Sequence, residues 1–267
     1  MASNTMSNYL ENKILDHMLG VAAYTAPTSI YMALFNTNPT DAGTGTEVSG
    51  TNYARVSCKS AFSTTGASSG SISNSDGAIN FPTAGSGGWT TANHWALFDA
   101  ATGGNLLFYS PLDTPRTVAS GQSASFAVGA CTINMAATDS LTTAGANLIL
   151  NHVFGKAAWS LVTPYIALHT ANPGESGTGA EVANLYGYAR KAATFGAASG
   201  GTSALSGNHT FNTANGGSWG TITHAAIWSS GTYGSGTCLL YWDITDVTIN
   251  NGDTYSFANG SITVSID

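Results

Sequence analysis

Ile14-Leu15-Asp16-His17-Met18-Leu19-Gly20 returns 135 residues later as Ile149-Leu150-Asn151-His152-Val153-Phe154-Gly155. An apolar run closed by glycine and met twice in one chain predicts a repeated unit. The blocks downstream repeat in the same order. Tyr31-Met32-Ala33-Leu34 pairs with Tyr165-Ile166-Ala167-Leu168, and Asn38-Pro39 with Asn172-Pro173. Gly43-Thr44-Gly45-Thr46-Glu47-Val48 pairs with Gly177-Thr178-Gly179-Ala180-Glu181-Val182, and Tyr53-Ala54-Arg55 with Tyr188-Ala189-Arg190. Trp89 and His94 match Trp219 and His224, Leu106–Tyr109 matches Leu239–Trp242, and Phe126-Ala127 matches Phe257-Ala258. The offset drifts by a few residues, as short loop insertions produce. Two tandem domains are expected, 1–136 and 137–267. The repeats proper span about 7–136 and 140–267, joined through Ala136-Ala137-Thr138-Asp139. Each copy is long enough for its own core.

Each copy opens on one helix signal. Asn8 with Glu11 three residues on resembles a capping box. Leu10, Ile14 and Met18 fall on one helical face, and Asn12, Lys13 and Asp16 on the other. Gly20 and Gly155 fit the position just past the helix end. Gly145 replaces Leu10 in the second copy and weakens its first turn. Everything after the helix reads as strand. Ser29–Phe35, Tyr53–Phe62, Ala78–Phe81, His94–Phe98, Leu106–Ser110, Ser123–Ala130 and Cys131–Met135 are each bounded by turn residues. Six to eight short strands per copy predict a mainly β chain of two tandem β-sandwich, jelly-roll-like domains, each with one short N-terminal helix. A parallel sheet is excluded, because no further helix is present to make its crossovers. Tyr31, Phe81, Trp95, Phe98, Phe108 and Phe126 are the candidate core aromatics.

Composition excludes several function classes. Charged residues make up 8% of the chain, against roughly 25% in ordinary domains. The net charge is −7. The basic residues Lys13, Arg55, Lys59, Arg116, Lys156, Arg190 and Lys191 are scattered, so no patch is available for phosphates and no nucleic-acid partner is expected. No stretch of apolar residues reaches membrane-spanning length. Met1–Thr5 lacks the basic and apolar regions of a secretory leader. Cys58, Cys131 and Cys238 are odd in number and include no C-x-x-C, which suits buried small hydrophobes rather than disulfides or zinc.

Candidate chemistry is thin. Gly66-Ala67-Ser68-Ser69-Gly70 matches G-x-S-x-G, but it lies in a polar run without the strand–turn–helix setting that exposes such a serine. Its counterpart by position, Gly196–Gly200, has Ala198 in the central place. His17/His152 and His94/His224 recur without neighbouring ligands for a metal. His17 then reads as a cation on the last helical turn, and His94 as a satisfied polar residue opening a strand. Glu47/Arg55 and Glu181/Arg190 read as salt bridges fixing the long loop. Asp41, Asp99, Asp113 and Asp246 lack EF-hand spacing. No catalytic residue, metal site or cofactor is expected. Trp95 and Trp228 read as core. Trp89 and Trp219, in Gly-rich loops, are the candidates for contact with a partner chain.

Taken together, the helix Tyr9–His17, Tyr24-Thr25-Ala26-Pro27, Tyr31–Phe35, the loop Asn38–Val48, Tyr53-Ala54-Arg55, Trp89, His94, Phe98-Asp99-Ala100 and Gly104-Asn105-Leu106-Leu107 resemble the small β-rich virion proteins of tailed bacteriophages, often labelled tail-fibre-like. The resemblance covers copy 1 almost fully and copy 2 more loosely. It implies a non-enzymatic virion structural protein, with other phage structural proteins as partners. It also implies a homo-oligomer, often a trimer, at the particle surface after synthesis in the host cytoplasm. The first expectation for its role is a capsid decoration, or cement, protein, since no shaft-forming repeat is present. The alternative is a tail-fibre, baseplate or receptor-binding component.

Overall fold

The computed structural model describes residues 5–135, 141–177 and 179–266. The expected boundary at 136/137 and the join Ala136–Asp139 lie outside them. Copy 1 runs β1 (Thr5–Met6), α1 (Asn8–Met18), β2 (Tyr31–Phe35), β3 (Val56–Ser57), β4 (Ser71–Ser73), β5 (Ile79–Thr83), β6 (Ala92–Phe98), β7 (Leu106–Arg116), β8 (Ser123–Phe126) and β9 (Thr132–Asn134). Copy 2 runs α2 (Thr143–Val153), β10 (Tyr165–His169), β11 (Lys191–Ala192), β12 (Thr202–Ala204), β13 (His209–Thr210), β14 (Gly220–Trp228), β15 (Cys238–Ile249), β16 (Ser256–Phe257) and β17 (Thr263–Ser265). The chain is mainly β, in two tandem copies with one helix each.

One principal antiparallel sheet organises each copy. Its order is β1-β7-β6-β2-β3 in copy 1 and β11-β10-β14-β15 in copy 2. The opposing layer consists of two-stranded ladders, β4–β9 and β5–β8, repeated as β12–β17 and β13–β16. Met32 pairs with Leu97 and Leu34 with Trp95, and these four face the main core. Between them Ala33 pairs with Ala96, and beyond them Tyr31 pairs with Phe98. Ala33, Phe35, Ala96 and Phe98 form a second apolar cluster on the outer face. Burial on both faces explains why β2 reads as a continuous apolar run rather than an alternating one. Phe81, Trp95, Phe98 and Phe108 are buried as expected, whereas Tyr31 and Phe126 are half-buried.

Two local expectations are corrected. The cap of α1 is Ser7, whose Oγ accepts the Leu10 N–H at 3.2 Å; Asn8 is the first helical residue. Thr142 does the same for α2 through Gly145 N–H at 2.9 Å. Gly20 and Gly155 do stand just past the helix ends, with φ of 74° and 62°. Tyr53–Phe62 is not one strand. Only Val56–Ser57 pairs with β2, and Lys59–Ala61 is a 3₁₀ turn. Cys58 N–H donates to the Ile30 carbonyl at 2.8 Å, which ties the chain down where it leaves the sheet.

The two copies share one core. Each helix packs on its own copy and on the other: α1 against β7 and β12, α2 against β15 and β4. The Phe154 ring lies 4.5 Å from Phe62 and 6.2 Å from Phe108, centroid to centroid. Buried apolar side chains of both copies form a single contiguous cluster.

Candidate functional site

The polar residues of the helices build the seam between the copies. Asn12 Oδ1 accepts the Gly201 N–H at 3.0 Å, and Asp16 Oδ1 accepts the Ala198 N–H at 2.7 Å. The reciprocal pair is Asn147 Oδ1 with Gly70 N–H at 2.9 Å and Asn151 Oδ1 with Ala67 N–H at 2.6 Å. Each helix therefore caps a turn of the other copy. Gly66 has φ 86°, and a Cβ there would lie 2.4 Å from Asn151 Oδ1. Backbone conformation and close approach both require glycine.

This seam disposes of the G-x-S-x-G motif. Gly66–Gly70 is the turn that α2 grips, and a strand follows it. Ser68 N–H bonds the Ser71 carbonyl as Ser199 N–H bonds the Thr202 carbonyl. The counterpart of Ser68 is thus Ser199, one place on from the Ala198 that simple alignment gives.

The histidines meet at the centre of the seam. His17 and His152 stack at 4.7 Å between centroids, with 15° between planes. His17 Nδ1 accepts the Tyr24 N–H at 3.1 Å, which leaves Nε2 protonated to donate to the Trp159 carbonyl at 2.9 Å. His152 mirrors this with Trp159 N–H at 3.2 Å and the Tyr24 carbonyl at 2.8 Å. Each imidazole thus bridges both copies as a neutral tautomer. The expectation of a cationic His17 is corrected: burial pushes its pKa down, and the His152 ring beside it pushes the same way. His94 is also corrected. It is the third residue of β6, its Nδ1 has no hydrogen-bond partner, and burial lowers its pKa. His224 Nε2 lies 3.7 Å from Asp243 Oδ1. His169, which the sequence did not single out, stands directly opposite His224 and is fully buried.

The Glu–Arg pairs are present and do more than hold a loop. Arg55 Nε lies 3.0 Å from Glu47 Oε1, and Nη2 lies 2.8 Å from Oε2. Its guanidinium sits 3.6 Å over the Phe98 ring, and Nη1 donates to the Ala100 and Gly103 carbonyls. Tyr53 Oη donates to Glu47 Oε1 at 2.9 Å and receives the Leu34 N–H at 2.9 Å. Copy 2 repeats the clasp with Glu181, Arg190, Tyr188 and Trp228, the guanidinium 3.7 Å over the indole. A planar cation suits a carboxylate and an aromatic face at once. Burial drives the pKa of both tyrosines upward.

Trp89 and Trp219 are corrected as partner contacts. They are 4% and 5% exposed. Their Nε1–H groups donate to the Thr51 and Tyr186 carbonyls at 3.0 and 3.1 Å. Each ring packs edge-on against Tyr53 or Tyr188. The Gly-rich loops fold inward because the Trp89 and Trp219 N–H groups bond the Val118 and Ile249 carbonyls. The three cysteines are free and buried, and burial pushes Cys58 and Cys238 up to about 12. Among the described residues no helix is long and apolar enough to cross a membrane.

The seam residues missed by sequence reading carried a signal. Asn12 and Asp16 recur as Asn147 and Asn151, polar at matched positions of both helices. A family model described as podophage GP4 fiber I protein gp80 matches the chain twice, over residues 5–134 and again over 140–265. No curated protein matches.

Proposed function

The chain belongs to the podophage GP4 fiber I protein gp80 family, and on that premise we propose that it is a non-enzymatic component of a fibre at the surface of the phage particle. The observation that carries this is the match of each copy, separately and almost end to end, to the same fibre family. Fibre therefore replaces capsid decoration as the leading role. The polar groups support a structural part: the helix amides and carboxylate hold turns, His17 and His152 hold backbone, and both Glu–Arg pairs hold loops. On this reading the chain is made in the host cytoplasm. Its partners are other virion proteins and further copies of itself, in the trimer that the resemblance implies.

Copy number per virion against the major capsid protein, measured by quantitative mass spectrometry together with immunogold labelling, tests the role. A few to a few tens of copies with label at the tail supports the fibre. Near-equal stoichiometry with label over the head overturns it and restores the cement protein.

A further inference from the structure

A cleft of about 540 Å³ opens in copy 1 between the outer half of β7 and β8. β7 pairs with β6 and β8 with β5, so the two strands face each other without sharing a ladder. Leu112, Asp113 and Arg116 line one wall, and Gln122, Ala124 and Phe126 the other.

Copy 2 carries larger side chains at the equivalent place. The matched bonds from Trp89 N–H to Val118 and from Trp219 N–H to Ile249 set the local alignment. Tyr255 then stands where copy 1 has Ala124, and Phe257 where it has Phe126. The Tyr255 ring lies 5.1 Å from Phe257 and 6.4 Å from Phe211. Phe257 is buried beneath it. Phe126 is half-buried and enters no ring pair among the described residues.

The polar wall is unengaged as well. Among the described residues, Asp113, Arg116 and the Gln122 amide enter no side-chain hydrogen bond or ion pair, and of the seven basic side chains Lys13, Arg116 and Lys191 are left so. Arg55 and Arg190 are in ion pairs, Lys59 and Lys156 donate to carbonyls, and Lys13 lies over Tyr9. The cleft thus offers a half-buried aromatic ring packed on the core, a carboxylate that accepts, and a guanidinium and an amide that donate.

We infer that this cleft binds a neutral saccharide of one or two pyranose units. The C–H face of a sugar ring covers Phe126, its hydroxyl hydrogens go to Asp113, and its oxygens receive Arg116 and Gln122. Clefts of roughly 300–1,000 Å³ with an apolar wall and a few convergent polar groups suit small ligands. A fatty chain would strip water from Asp113 and Arg116 without replacing its bonds. A nucleotide would set its phosphates against Asp113 and a chain of net charge −7. The inference extends the fibre reading, yet binding by the purified chain tests it apart from where the chain sits on the particle.

The test is an array of neutral hexose and N-acetylhexosamine oligosaccharides probed with the purified full chain, followed by calorimetric titration of a binder. Binding is expected, falling at least about tenfold in Ala124→Tyr and in Arg116→Ala and unchanged in Lys191→Ala. Ala124→Tyr installs the side chain that copy 2 already accommodates, and Arg116 is exposed, so thermal melts of both variants should match the parent. Three outcomes overturn the inference: no array member binding at millimolar concentration, a binder indifferent to Ala124→Tyr and Arg116→Ala with melts unchanged, or equal loss in Lys191→Ala.

Discussion

Arg55 and Arg190 perform the same task at different depths. The Arg190 side chain is fully buried and its Glu181 partner 10% exposed, whereas Arg55 and Glu47 keep 9% and 28%. Removing one partner of a buried pair leaves an uncompensated charge and costs about 3–5 kcal/mol. Arg190→Ala should therefore destabilise the protein by about that much. Arg55→Ala should cost less, because water reaches the Glu47 carboxylate left behind. Urea unfolding of the two variants ranks them, and equal losses would show that depth does not set the cost. The Glu–Arg recurrence was legible in sequence, since both members return at matched positions. The aromatic faces beneath the guanidinium groups were not, because they come from β6 and β14, some 40 residues away.

At the scale of the element, the helices show where pattern reading works and where it stops. Apolar spacing placed Leu10, Ile14 and Met18 correctly in the core. The opposite face reads only as polar, and Asn12, Asp16, Asn147 and Asn151 spend that polarity on backbone N–H groups of the other copy. A sequence pattern records polarity and not which partner receives it. The glycine-rich loops around Trp89 and Trp219 misled for the same reason, since local composition suggested exposure while bonds to distant backbone carbonyls drew both indoles inside. Assigning the cap to Ser7 has a direct consequence. Ser7→Ala should cost about 1 kcal/mol, whereas Asn8→Ala, at an exposed first helical position, should leave stability unchanged or slightly raised. Thermal melts of the two single variants check this, and the reverse order would restore Asn8 as the cap.

At the scale of the whole molecule, the duplication was plain in the sequence and the fusion of the two cores was not. Two domains of this length suggest two independent folding units, but the shared cluster and the stacked imidazoles make one. Calorimetry should show a single transition whose calorimetric and van't Hoff enthalpies agree. Acid should move it down. Burial holds the folded-state pKa of His17, His94 and His169 below the ordinary value of 6.5. The unfolded chain therefore takes up protons first. Stability is complete above that value and is lost as pH falls through it toward the depressed pKa values. A melting temperature that is flat or rising between about pH 7 and pH 5 would contradict this, and His17→Gln should make the decline shallower.

The reciprocal seam also bears on how such a molecule changes over generations. In a symmetric pair of identical chains, every substitution appears on both sides of the axis, so a residue that opens one half opens the other and doubles its cost. Here both halves lie in one reading frame and mutate separately. Ala124 and Tyr255 occupy equivalent places, one lining a cleft and the other packed against an aromatic ring. One half is thus free to specialise while its twin, locked to it across the seam, supplies rigidity.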